Sequence, residues 1–298
     1  MDRRQFLTLT AGLLSVSANS LEAALSLDEV QSGMQQTRDG RVIDPGTDFL
    51  KREKAMVESF SYHFFGQGLP VFGKRVFPFP DSTVHQAMQS IYLPISRSST
   101  RKNLNWKVYV VDDDGINAYT PGGGLTFVNS GLIKACKTEA ELASVLAHEV
   151  GHIENKHAIR RLMSNEILVQ FGISNDQRLI DLARRITTNG GQISTPDMMK
   201  ISLEIFYKNF KKMWEHQADA FILKAFVECG YDLRLASKFF KTLAKRNRPL
   251  PYGTCLYTSH PETLERVARV DAIANSMSSN GQLKGDSNEF RFLKERIG

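Results

Sequence analysis

A chain of 298 residues with 42% apolar and 23% charged side chains can bury a sizeable core, as one large domain or two small ones, so disordered and fibrous classes are excluded. The net charge of +6 names no partner: Lys208, Lys211, Lys212, Lys238, Lys241, Lys245, Arg246 and Arg248 read as solvated helix faces, and no nucleic-acid motif accompanies them. Cys136, Cys229 and Cys255 form no Cys-x-x-Cys pair, which argues against a structural zinc site and for buried free thiols.

The chain opens with Arg3-Arg4-Gln5-Phe6-Leu7 and a short apolar run ending near Val16-Ser17-Ala18. A charged start, a short apolar centre and small residues describe a secretory signal, and the paired arginines resemble a twin-arginine export signal. Residues 1–23 are therefore expected to be a signal peptide that directs a folded protein to the periplasm. The run is short for a membrane span, so membrane contact is expected only through this signal.

Residues 24–74 are expected to form a helical segment packed on the domain that follows, with a break at Asp44-Pro45-Gly46. Leu69–Pro80 carries three prolines and a glycine and reads as a connector, and Asp81–Ile95 as a capped helix. Asn105–Val111 alternates and is rich in branched and aromatic residues, which predicts a strand. Asn117–Gly124 reads as a flexible glycine-rich turn leading into a second strand over Leu125, Thr126, Phe127 and Val128. That second strand is expected to lie beside the site and offer its edge to an extended peptide.

The most informative stretch is Thr138–Lys156. Thr138 and Glu141 form a capping-box pair, and Leu142, Val145, Leu146, Val150 and Ile153 recur at helical spacing. Within this helix His148-Glu149-Val150-Gly151-His152 is the pattern H-E-x-x-H. Histidines at i and i+4 share one helix face and can share one ion, with Glu149 beside them to act as a base on a metal-bound water. Gly151 costs about 1 kcal/mol against alanine in a helix, which predicts a close neighbour at that position.

Such a zinc site needs a third protein ligand. The H-x-x-G-x-x-H continuation fails, because Asn155 and Ala158 stand where glycine and histidine are required; His157 is one residue off that register and is expected at the surface. Downstream, Glu215-His216-Gln217-Ala218-Asp219 lies in a helical pattern running towards Gly230. Glu215 and Asp219 share a face, so Glu215 is expected as ligand and Asp219 as acceptor for a ligand histidine's second nitrogen. His216 points about a quarter-turn away. His260-Pro261 opens a final helix, where His260 can reach over the site to a developing oxyanion and Arg266 can pair with a site carboxylate or with substrate. The stretch 159–192 is expected to fold over the cleft as a lid.

Taken together, Asn117-Ala118, the Gly-Gly strand, H-E-x-x-H, E-x-x-A-D and S-H-P-x-T-x-x-R resemble the gluzincin metallopeptidase family of the CAAX prenyl protease, HtpX and BepA–LoiP type. The resemblance implies an α+β, mainly helical zincin-like domain over residues 75–275, with a small β-sheet beside the H-E-x-x-H helix. Residues 276–298 are expected to form a polar C-terminal tail with a short helix. The resemblance further implies one Zn2+ held by His148, His152 and Glu215, with Glu149 as general base. His260 is expected to act on the transition state, Asp219 to orient a ligand, and Leu125, Thr126, Phe127 and Arg266 to bind substrate. The implied activity is zinc-dependent endopeptidase cleavage of unfolded or misassembled envelope proteins. A zinc-bound chaperone that holds the same clients without cutting them is the alternative, although such a protein has no need of Glu149.

Overall fold

The computed structural model describes residues 45–71, 74–160, 212–244, 263–277 and 283–298. The chain divides into units Met1–Arg52 and Glu53–Gly298. The expected signal peptide, most of the expected lid, Cys255 and His260 lie outside the described residues. No helix among the described residues is long and apolar enough to cross a membrane.

Helix α1 (Pro45–Gly66) begins with proline, whose missing N–H costs nothing in a first helical turn. The expected connector contains a hairpin, with β1 (Leu69–Val71) antiparallel to β2 (Lys74–Val76). Helix α2 (Ser82–Arg97) starts where the Asp81 carboxylate accepts from the Thr83 amide at 2.9 Å. Its buried residues Val84, Ala87, Met88, Ile91, Tyr92 and Ile95 form one apolar stripe, so the helix lies with that face on the core.

Three strands follow: β3 (Lys107–Val111), β4 (Ala118–Gly122) and β5 (Leu125–Asn129). The residues expected to be a flexible turn thus include a strand. Pro121 is tolerated because β4 lies at the sheet edge, and Gly122, Gly123 and Gly124 supply φ values of 101°, 60° and 90° for the reversal into β5. The order is β3-β5-β4, with β5 parallel to β3 and antiparallel to β4.

The sheet has two different faces because side chains alternate along each strand. On one, Tyr109, Phe127 and Tyr119 are cross-strand neighbours, and Phe60 and Phe64 of α1 pack their rings on Phe127 at 6.0 and 4.9 Å. On the other, Val108, Val110, Ala118 and Val128 join α2 and the site helix in the main core. Tyr92 and Thr126 hydrogen-bond hydroxyl to hydroxyl across that layer at 2.9 Å.

After the short α3 (Ser130–Ala135) comes α4 (Glu139–Glu154), buried along nearly its whole length. Thr138 Oγ1 accepts from the Glu141 amide at 3.3 Å, the expected cap. Helix α5 (Lys212–Cys229) packs along α4 and ends at Gly230, with φ of 77°. A short 3-10 turn (Leu233–Leu235), α6 (Lys238–Ala244) and α7 (Thr263–Ser276) complete the layer around α5.

The C-terminal tail is better anchored than its polar sequence suggests. Lys284 donates to Gly230 O, and the Ser287 amide donates to Glu139 Oε2, each at 2.8 Å. Glu139 also accepts from Tyr231 Oη at 2.5 Å and pairs with Lys284 at 2.8 Å. A carboxylate buried at the start of α4 requires donors, and the tail supplies two of them. Helix α8 (Asn288–Ile297) then inserts Phe290, Leu293 and Ile297 into the core. Lys294 Nζ caps the carbonyls of Ile133, Lys134 and Cys136 at 3.2, 2.7 and 3.0 Å.

Candidate metal centre

Two features of α4 and α5 bring the site together. Helical spacing places His148 and His152 on one face of α4, and Gly151, on the neighbouring turn, lets α5 approach closely. A Cβ at Gly151 would lie 2.8 Å from Ala218 Cα and 2.8 Å from Ala218 O, so at this separation of the helices any residue larger than glycine must push α5 away. Ala218 is flanked within one turn by Glu215 and Asp219, which therefore reach the histidines.

His148 Nε2 and His152 Nε2 are 3.0 Å apart; Glu215 oxygens lie 3.4 Å from the first and 3.5 Å from the second. One ligand atom from each of the three residues falls within 4.8 Å of the others. Ligands bonded at about 2.0–2.1 Å in a tetrahedron sit roughly 3.3 Å from one another, so the triangle fits a first-row divalent ion. The donor set fits as well: two imidazoles and one carboxylate, all buried, are ligands that a first-row divalent ion such as zinc accepts.

Asp219 Oδ1 lies 3.0 Å from His148 Nδ1, so it can accept the proton on that nitrogen and leave Nε2 facing the centre. Burial raises the Asp219 carboxyl, but Arg266 and the hydrogen bond from His148 outweigh it and hold the group far below the ordinary range. Burial and Arg266 push His148 down, whereas Asp219 and Glu215 draw it up more strongly, to about 9. Glu149 is buried beside His148, and loss of solvent lifts its carboxyl to about 8.

Arg266 occupies one of its two expected places. Its Nε is 2.7 Å from Asp219 Oδ2, its Nη2 2.6 Å from Asp219 Oδ1, and its Nη1 3.0 Å from Glu215 Oε2. It is 3% exposed, with its guanidinium over the Phe240 ring at 5.3 Å. It therefore pairs with the site carboxylates, the first of those two places.

Leu125, Thr126 and Phe127 form the expected strand, but not an edge strand. They lie in β5, the central strand, whose backbone is paired with β3 on one side and β4 on the other. A strand paired on both sides has no edge to give a peptide. Among the described residues β4 pairs on one side only, and it is β4 that packs against the site helix.

His157, expected at the surface, is fully buried, with Nδ1 2.9 Å from His152 Nδ1 and Nε2 2.9 Å from Gln217 Oε1. Its ring stacks on Trp214 at 5.0 Å with 4° between planes. The cause is a left-handed turn: α4 ends at Glu154, Lys156 has φ of 57°, and the chain folds His157 back against His152. No glycine marks this turn, so the sequence carries no signal for it. His216 is not part of the ligand triangle; its Nδ1 lies 3.4 Å from Arg269 Nη1.

Residues 81–274 match the model of peptidase family M48. The chain belongs to that family. Membership carries the zincin-like α+β fold that the motifs imply. Among curated M48-like relatives, the beta-barrel assembly-enhancing protease of Yersinia pestis is 26% identical over 194 residues, covering 63% of this chain and 38% of that protein. The mitochondrial metalloendopeptidase OMA1 of Arabidopsis thaliana is 28% identical over 149 residues, 50% of this chain and 28% of the relative. OMA1 of Schizosaccharomyces pombe is 22% identical over 232 residues, 78% and 63% respectively. The chain thus spans less than two thirds of the length of each of these relatives.

Proposed function

We propose that this M48 chain is a zinc-dependent endopeptidase of the cell envelope that cleaves unfolded or misassembled proteins. The observation that carries the reading is the buried His148–His152–Glu215 triangle with Glu149 beside it. A zinc ion held by these three side chains would supply a water acidic enough to ionise near neutral pH and polarise the scissile carbonyl. Glu149 takes the water proton during attack and delivers it to the departing amine. Burial raises its affinity for protons, which suits that task, and a neighbouring dication would lower that affinity again and favour the carboxylate that must accept the proton. Asp219 and Arg266 hold His148 and Glu215 in place. An extended substrate backbone pairs with the outer edge of β4 rather than with Leu125, Thr126 and Phe127. His260 retains its proposed part in steadying the transition state.

Envelope clients and a periplasmic location reached by the twin-arginine route are supported by the Arg3-Arg4 start and by relatives named for beta-barrel assembly. The test is cleavage of casein by the purified protein, with chelator and zinc add-back, beside Glu149→Gln. Wild type is expected to cleave, to stop with chelator and to recover with zinc. Glu149→Gln is expected to bind zinc yet lose about 10²-fold or more in rate. Cleavage by Glu149→Gln at the wild-type rate removes Glu149 as the base, and a wild type that binds clients without cutting them favours the chaperone.

A further inference from the structure

We infer that His157 is a positioning residue for His152, holding the ligand imidazole in the tautomer and orientation that metal binding requires. The inference rests on the metal reading of the site and adds a supporting residue that H-E-x-x-H and E-x-x-A-D do not include.

The two ligand histidines are supported in different ways. His148 turns Nδ1 to a carboxylate, Asp219, which can only accept. His152 turns Nδ1 to another imidazole, His157 Nδ1, at 2.9 Å. Two ring nitrogens at that distance need one proton between them, and either ring could hold it. A metal on His152 Nε2 requires one direction, and Gln217 is placed to complete it. Its Oε1 lies 2.9 Å from His157 Nε2 and accepts the proton there. A neutral His157 protonated on Nε2 has a bare Nδ1, which must accept from His152 Nδ1–H. His152 is then bare at Nε2, 3.0 Å from His148 Nε2 and facing the ligand triangle. Reversing every donor in the chain would leave a proton on His152 Nε2 and close it to a metal. One chain of hydrogen bonds, from Gln217 through His157, therefore supports the ligand tautomer that a metal requires.

Packing fixes the relay geometrically. The His157 ring is stacked on Trp214, one residue before the ligand Glu215, so the same helix that delivers the carboxylate also holds the relay. The left-handed Lys156 backbone brings the ring back over His152 instead of letting α4 carry it outward.

The experiment measures zinc affinity by competition with a chromophoric chelator, together with thermal unfolding of the chelator-treated protein. His157→Phe keeps a ring on Trp214 and removes the acceptor; His157→Asn loses the ring but can place an oxygen where Nδ1 stood. Gln217→Leu, at a half-buried position, removes the far end of the relay. His157→Phe is expected to weaken zinc binding about 10- to 100-fold. His157→Asn is expected to stay within a few-fold of wild type, and Gln217→Leu to fall between them. Equal affinity for His157→Phe and wild type overturns the inference. So does an affinity order that follows the melting temperatures of the chelator-treated variants, because that marks a packing role. His148→Ala and His152→Ala run alongside: if they still bind zinc as wild type does, the metal reading itself fails, which is a separate result.

Discussion

Gly151→Ala tests whether the close crossing of α4 and α5 builds the ligand set. The added methyl would meet Ala218 Cα at 2.8 Å and Phe221 Cβ at 2.9 Å, where ordinary contact begins at 3.4 Å, so α5 must retreat by about 0.6 Å. Alanine gains about 1 kcal/mol in helix propensity and overpacking costs about 1–3 kcal/mol, so the net loss of stability is small, roughly 0–2 kcal/mol. The effect on the site is larger in proportion. Ligand distances tolerate only about 0.2 Å, and Glu215 and Asp219 flank the residue that is pushed. Zinc affinity is therefore expected to fall at least about 10-fold while the chelator-treated protein still folds, read by chelator competition and by thermal unfolding with and without zinc. A Gly151→Ala protein that binds zinc as tightly as wild type would refute the claim that this contact sets the position of Glu215.

Arg266→Ala leaves two buried carboxylates, Glu215 and Asp219, without their guanidinium, and is expected to cost about 3–5 kcal/mol in denaturant unfolding of the zinc-free protein. Loss confined to substrate affinity, with stability unchanged, would return Arg266 to a substrate-binding role. Phe290→Ala empties a buried position in α8 and is expected to cost about 3–5 kcal/mol by the same measurement; a change under about 1 kcal/mol would show that the tail is not part of the core. Burial raises the Glu139 carboxyl, but hydrogen bonds from Lys284, Ser287 and Tyr231 outweigh it and bring the group below its ordinary 4.5. Because the folded value is the lower one, Glu139 stabilises the protein above pH 4.5, and this contribution fades as pH falls through the folded value. Glu139→Gln is expected to flatten that acid limb in pH-dependent melting; an unchanged slope below pH 4.5 would rule out the linkage.

What the sequence by itself determined was everything that depends on neighbours within a turn or two of helix. The Thr138 cap, the shared face of His148 and His152, the shared face of Glu215 and Asp219, and the close neighbour at Gly151 all follow from 3.6 residues per turn and from the size of one side chain. Tertiary structure decided the features that depend on the path of the chain between elements. Strand order made β5 central and β4 the edge, and pairing order is not written in the alternation of either strand. The polar tail gained its order from a buried Glu139 that accepts its donors, more than a hundred residues away in sequence. His157 joined the site through a left-handed turn at a lysine, a conformation for which glycine is the usual signal and which here only the packed surroundings enforce.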